Sequence, residues 1–167
     1  FLKELGSKNI KNYGNLKYSN IQDETSKELN INFLNEMKDR KIWCAASTHP
    51  NEEILCANAH LKIKENYKNV LTIIIPRHID RTQKITEQLS KLNINLILSS
   101  ELDKINNKTD VVLVNSYGEA RKFYNISKYV FLGKSLVKAL IKDGGQNPIE
   151  AARLGCKILH GPYVSNF

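Results

Sequence analysis

Ser47, Thr48 and His49 follow an apolar run at 42–46 and precede Pro50, and Arg77 and His78 follow a second run at 70–75. Hydroxyls at such a turn can cap a helix or meet a ligand. An arginine can clamp a phosphate or carboxylate through paired N–H groups, or simply stand at the surface. Gly118 and Glu119 follow a third run at 111–114, and Ser135 lies beyond a fourth at 129–132. The most telling group is Gly144, Gly145, Gln146, Asn147, Pro148, Ile149 and Glu150. Two glycines let a ligand approach the main chain. A helix opening at Asn147, with Pro148 in its first turn, would aim free N–H groups and the helix dipole at an anion such as a phosphate. Asn147, Pro148 and Glu150 equally fit the N-cap, first-turn proline and capping-box glutamate of an ordinary helix start. Glu119 likewise fits a favourable first-turn acid, and no Ser/His/Asp arrangement can be read around His49. Each signal is ambiguous alone. Their common position, directly after apolar runs, points to one site.

The apolar runs must position those loops. They recur at 42–46, 70–75, 94–98, 111–114 and 129–132, and 157–159 closes the series. Nearly continuous apolar runs are typical of strands buried on both faces. Amphipathic stretches at 52–63, 82–92, 119–124 and 147–154 are predicted as helices. The alternation predicts an α/β protein with a doubly wound, mostly parallel, Rossmann-like sheet. In such sheets ligands bind beyond the carboxyl ends of the strands, which is where the residues above fall. Residues 1–40 are polar and Asn-rich; they are expected to add a leading strand at 10–13 and a connecting helix at 29–37 to the same domain, whose body is 41–167. Phe1, Leu2 and Leu5 have helical spacing ahead of Gly6, so the sequence reads as opening inside a helix and as a fragment of a longer protein.

Composition narrows the partners. The 167 residues carry a formal net charge of +8. The 25 basic residues comprise 20 Lys and 5 Arg, with no run of three lysines and no interleaving with aromatics. Nucleic acid is therefore not the expected partner. No apolar run approaches the ~20 residues of a membrane span. Cys44, Cys56 and Cys156 form no CxxC pair and are odd in number, so neither a disulfide framework nor a zinc site is expected, and a reducing compartment fits. His49, His60, His78 and His160 lack HExxH spacing, and no metal is expected.

The ordered set of loops resembles one family. The stretch from Gly144 to Ala151 is similar to the Gly-Gly-His-Asn-Pro-Leu-Glu signature of the Kdo (3-deoxy-D-manno-oct-2-ulosonic acid) transferases. The stretch from Phe131 to Val137 resembles the segment that precedes that signature. Ser47-Thr48-His49, Pro76-Arg77-His78 and Gly118-Glu119 with Phe123-Tyr124 fall in the family's order. Gly14-Asn15-Leu16-Lys17 resembles the opening of the family's second half, and Gly161-Pro162 followed by Asn166-Phe167 also fits. Four departures stand out: Gln146 in place of His, Lys134 in place of Gly, Asn115 in place of Asp, and Ala120-Arg121 in place of Leu-Gly. The first three lie in the strand-end loops and are expected to tune affinity.

The resemblance implies the C-terminal, nucleotide-sugar-binding domain of a GT-B glycosyltransferase, with the N-terminal acceptor domain lying outside this chain. It implies CMP-Kdo as donor, a lipid A precursor as acceptor, no metal, and action at the cytoplasmic side of the bacterial inner membrane in lipopolysaccharide biosynthesis. Carried over by position, Gly144, Gly145 and Asn147 would face the CMP phosphate or ribose, and Glu150 would hold a ribose hydroxyl. Arg77 and His78 would lie against the nucleotide, while Gly118, Glu119 and Ser135 would line the pocket. Ser47, Thr48 and His49 would stand near the donor. The acceptor-activating base belongs to the family's N-terminal domain, so no catalytic base is assigned here and this chain alone is not expected to turn over. Alternatives are another GT-B glycosyltransferase or an epimerase using a UDP sugar, a non-catalytic nucleotide-binding module, or a basic nucleic-acid-binding domain. Nucleotide preference and salt dependence separate them.

Overall fold

A computed structural model describes residues 3–11 and 29–166. Six strands form one sheet: β1 (Lys41–Thr48), β2 (Val70–Pro76), β3 (Leu96–Leu98), β4 (Val111–Leu113), β5 (Tyr129–Leu132) and β6 (Lys157–His160). Their order is β3-β4-β2-β1-β5-β6, and every pairing is parallel. The chain winds outward from β1 through β2 to β3, returns to β4, then crosses to the other side of β1 to build β5 and β6. The strand order therefore reverses at β1 and β5. The crevice beyond their carboxyl ends is the natural ligand position of such a sheet.

The reversal divides the helices into two layers. Helices α2 (Glu52–Asn66) and α3 (Thr82–Ser90) cover one face, where Cys56, Ala57, Ile85 and Leu89 pack on Ala45, Ile74, Val111, Leu113 and Phe131. Helices α1 (Ile31–Met37), α4 (Ala120–Tyr124) and α5 (Ile149–Arg153) lie on the other, where Phe33, Met37, Phe123, Tyr124 and Ala151 pack on Cys44, Leu71, Ile73, Val112 and Val130. Opposite directions of winding put connections on opposite faces because parallel crossovers share one hand. Burial of both faces explains the Val/Ile/Leu character of β4 and of β2, where Thr72 is the polar exception before Pro76. The same sheet core holds Phe33 and Met37, spaced four apart on one side of α1, and Asn30 caps that helix by accepting the Asn32 N–H at 2.9 Å.

Several expectations need adjustment. The helix expected over 147–154 is only the five residues Ile149–Arg153. Pro148 precedes it, and the Asn147 carboxamide oxygen accepts the Ile149 N–H at 3.0 Å. Asn147 thus makes a local bond to the helix start, Pro148 stands at the cap position in its place, and the apolar stripe behind them is too short to extend the helix to Leu154. Of the leading strand expected at 10–13, Ile10 and Lys11 have no strand structure, and the other two residues lie outside the described ones. Lys3 to Gly6 form a turn closed by Gly6 N–H to the Lys3 carbonyl at 3.0 Å, with Gly6 at φ +84°. Phe1, Leu2 and the Gly14-Asn15-Leu16-Lys17 motif lie outside the described residues.

Candidate functional site

Strand β1 ends in a bulge. The register to β2 slips between Ala46 and Thr48, and Ser47 at the slip has φ +54°. The chain then turns through His49 and Asn51, which has φ +77°, into α2. Glu52, first in that helix and fully buried, reaches back under the turn. Its Oε2 accepts from the backbone N–H of His49 at 2.9 Å and of Lys134 at 2.7 Å. Its Oε1 accepts from the N–H of Ser135 at 2.9 Å and of Leu136 at 3.0 Å. One carboxylate thus joins the loop after β1 to the loop after β5. The approach is tight: a Cβ on Gly133 would lie 2.7 Å from the Thr48 Cα and 2.8 Å from the Glu52 Oε2. Three consecutive N–H groups at 134–136 make the kind of concavity that binds an external anion. Here the protein fills it with its own carboxylate.

The second joint is Ser135. Its hydroxyl donates to the Leu132 carbonyl at 2.6 Å and accepts from the Gly161 N–H at 2.9 Å. Its carbonyl accepts from the Tyr163 N–H at 3.0 Å, and a Cβ on Gly161 would lie 2.6 Å from the Ser135 carbonyl carbon. Ser135 is fully buried, and its side chain positions the segment after β6. Gly144 and Gly145 form the third joint. Gly145, at φ +97°, donates its N–H to the Lys134 carbonyl at 2.7 Å, and the Gly144 carbonyl accepts from Asn166 at 3.0 Å. A Cβ on Gly144 would lie 2.7 Å from the Tyr163 carbonyl carbon. Both glycines are buried. What demands glycine at 144 is the Tyr163 backbone.

Over these joints stand the polar side chains. His49 Nδ1 lies 3.0 Å from the Ser47 carbonyl and must carry the proton, since a carbonyl only accepts. Burial holds the His49 pKa below the usual range; the Lys134 and His78 charges push the same way, against the Ser47 carbonyl and Glu52. The neutral ring therefore keeps a lone pair on Nε2. The His49 and His78 rings meet edge-on at 6.1 Å. Arg77 donates its backbone N–H to the Thr48 carbonyl at 3.0 Å, while its side chain, like that of His78, is exposed. Thr48 is fully buried, and its hydroxyl has no partner among the described residues.

Beyond β4, Gly118 turns at φ +79° and Glu119 pairs through Oε1 with Lys122 at 2.7 Å; its buried Oε2 has no hydrogen-bond partner. Asn115 joins the ends of β3 and β4. Its Oδ1 accepts from Ser99 Oγ at 2.8 Å and from Ser100 N at 3.2 Å, and its Nδ2 donates to Ser100 Oγ at 3.0 Å. An aspartate could not donate that last bond, which is a local reason for the amide. Glu150 is exposed on α5, and its charge acts on Tyr124 of α4.

The structure thus brings Ser47, Thr48, His49, Arg77, His78, Ser135, Gly144 and Gly145 into one hydrogen-bonded edge. Gly118, Glu119, Asn147 and Glu150 lie at the strand ends of the α4–α5 side. The residue missed from sequence is Glu52. Nothing in its position distinguishes it from an ordinary first-turn acid, and the only hint is a pair of adjacent acids, Glu52 and Glu53, behind a strand-end turn. Glu53, also fully buried, holds Arg81 through two bonds of 2.9 and 3.0 Å. No group of three or more His, Cys, Asp or Glu fit to hold a metal occurs among the described residues. A cleft of 760 Å³ lies elsewhere, between α2 and the face of β5–β6 that no helix covers. Its lining is mostly apolar, with Trp43, Leu55, Ile63, Phe131 and Leu159, and Arg40, Lys41 and Lys128 also border it.

No protein-family model matches the chain. Curated relatives do. The chain is 34% identical over 155 residues to the 3-deoxy-D-manno-octulosonic acid transferase of Haemophilus influenzae, covering 92% of the chain and 35% of the relative. It is 31% identical over 162 residues to the probable mitochondrial 3-deoxy-D-manno-octulosonic acid transferase of Arabidopsis thaliana, with the same 92% and 35%. Among solved structures it resembles the C-terminal CMP-Kdo binding domain of WaaA from Acinetobacter baumannii, with a TM-score of 0.69 and 29% identity over 81% of this chain and 72% of that one. The chain spans 35% of the length of the two curated relatives. Sequence likeness along nearly its whole length and the same fold as that C-terminal domain agree: the chain belongs to the Kdo transferase family, as a counterpart of its C-terminal domain.

Proposed function

We propose that this chain is the donor-binding part of a glycosyltransferase that moves Kdo from CMP-Kdo to a lipid A precursor. The observation that carries the reading is the hydrogen-bonded edge around Glu52. It lies at the strand-order reversal of a domain whose solved likeness is, by its own description, CMP-Kdo binding. The edge offers what a nucleoside monophosphate needs: cations at Arg77 and Lys134, a neutral imidazole at His49, and buried glycines that bring main chain close. The reaction is a displacement. A hydroxyl of the acceptor attacks the anomeric carbon of Kdo, and the bond from that carbon to the phosphate oxygen breaks. CMP leaves with the electron pair, and the hydroxyl proton passes to a base outside this chain. The cations here would stabilise the charge gathering on the departing phosphate. The acceptor places the full-length enzyme at the cytoplasmic face of the inner membrane. Among the described residues, no helix is long and apolar enough to cross a membrane.

Calorimetric titration of the chain with CMP, UMP and AMP tests the reading. Selective binding of CMP is expected. A preference for UMP would replace it with a transferase or epimerase that uses a UDP sugar.

A further inference from the structure

Four residues other than glycine have positive φ among the described residues: Ser47, Asn51, Asn93 and Lys134. Asn93 sits in a surface turn, where asparagine tolerates this conformation. Ser47, Asn51 and Lys134 all lie in the two loops that Glu52 joins. Lys134, at φ +59°, is the costliest, because a long side chain gains no local hydrogen bond there. Its backbone is committed on both sides, with N–H to Glu52 at 2.7 Å and carbonyl to Gly145 N–H at 2.7 Å. The conformation is therefore imposed, and glycine would meet it without strain. Strain that persists in such a setting points to a task for the side chain.

The surroundings suggest which task. The Lys134 ammonium pairs with no carboxylate among the described residues, yet its charge acts on the His49 ring, which in turn touches His78. Arg77, next in chain to His78, is exposed and has no acid partner among the described residues. The carboxylate that joins the two loops, Glu52, has spent its oxygens on four N–H groups. Those four N–H groups are closed to any ligand, whereas the side-chain cations of this edge remain available to an arriving anion.

We infer that Lys134 is a phosphate-binding residue: its ammonium, held over the edge by a backbone conformation that glycine would prefer, contacts the anionic group of the nucleotide. The inference rests on the proposed function, and it assigns the phosphate contact to a side chain in place of a backbone nest.

The test compares CMP with cytidine, which lacks the phosphate, on the parent chain and on K134M and K134G. Parent binding is expected to be tighter for CMP than for cytidine. Both variants should lose about tenfold in CMP affinity, the value of one charge-assisted hydrogen bond, and nothing for cytidine. K134G should match or exceed the thermal midpoint of the parent, which separates the binding loss from any unfolding. CMP affinity unchanged in K134M would overturn the inference and leave the proposed function standing. A parent chain that binds neither CMP nor cytidine would overturn both.

Discussion

Glu52 shows how one side chain can hold two strand-end loops together. Its carboxylate offers acceptors only, and four N–H groups converge on it inside the protein. Replacing it by glutamine keeps the size but turns one end into a donor aimed at N–H groups. E52Q is therefore expected to lose about 2–4 kcal/mol of stability, read as a lower urea midpoint at unchanged slope. A loss below about 0.5 kcal/mol would mean that the two loops hold their shape without the carboxylate. This residue was not legible in the sequence, because three of the four partners of Glu52 lie 82 to 84 positions away along the chain. Contacts of that separation leave no periodic trace. Ser135 was legible as a residue of a strand-end loop, but its hydroxyl serves the Leu132 carbonyl and the Gly161 N–H, which only the folded backbone reveals.

At the scale of elements, the strands were the readable part. Burial on both faces makes β4 apolar throughout and β2 apolar at all but Thr72, so their limits stand out within a residue or two. The start of α5 was readable for its capping residues and its length was not. With five residues it has little dipole of its own, and the neighbouring Gly144 and Gly145 owe their identity to the loops they touch. A Cβ on Gly144 would collide with the Tyr163 backbone, which cannot swing aside as a flexible side chain could. G144A should therefore cost about 1–3 kcal/mol and loosen the segment from Gly161 to Asn166, seen as faster amide exchange of Tyr163 and Asn166. Gly118 gives the contrast. It has a positive φ of +79° with open space around its Cβ position, so G118A should cost only the backbone strain, about 1 kcal/mol. Equal effects at the two sites would remove the Tyr163 contact as the reason for Gly144.

Across the whole molecule the two ends of the sheet do different work. The carboxyl edge carries the strained loops and, among the described residues, cations without a carboxylate partner, whereas the amino edge is locked by a buried polar cluster in which His60 Nε2 alone makes no hydrogen bond. Arg40 donates to the carbonyls of Val70 at 2.8 Å and Thr109 at 2.5 Å, tying β1 to the strands beyond it. His60 is fully buried, with Nδ1 2.8 Å from Thr72 Oγ1 and Nε2 3.4 Å from Asp110 Oδ1, and Lys64 also pairs with Asp110. Burial lowers the His60 pKa despite the pull of Asp110, with Lys64 and Arg40 adding to the depression. The unfolded chain therefore takes up a proton at this histidine more readily than the folded one. Stability should fall as pH drops below the ordinary histidine value of about 6.5, by up to about 1.4 kcal/mol per pH unit for each such proton. His49, lowered as well, adds to the same slope. Asp110 contributes only at lower pH: its folded-state pKa is lowered by Lys64 and the Asn95 N–H against the opposing effect of burial, so its stabilisation disappears as pH falls through that lowered value. Urea unfolding of the parent chain, H60Q and the H49Q/H60Q pair at pH 7 and pH 5 separates the terms. Whatever each variant loses at pH 7, the drop from pH 7 to pH 5 should shrink in H60Q and shrink again in the double variant. An undiminished drop in the double variant would place the acid sensitivity in the carboxylates and leave the histidines without a part in it.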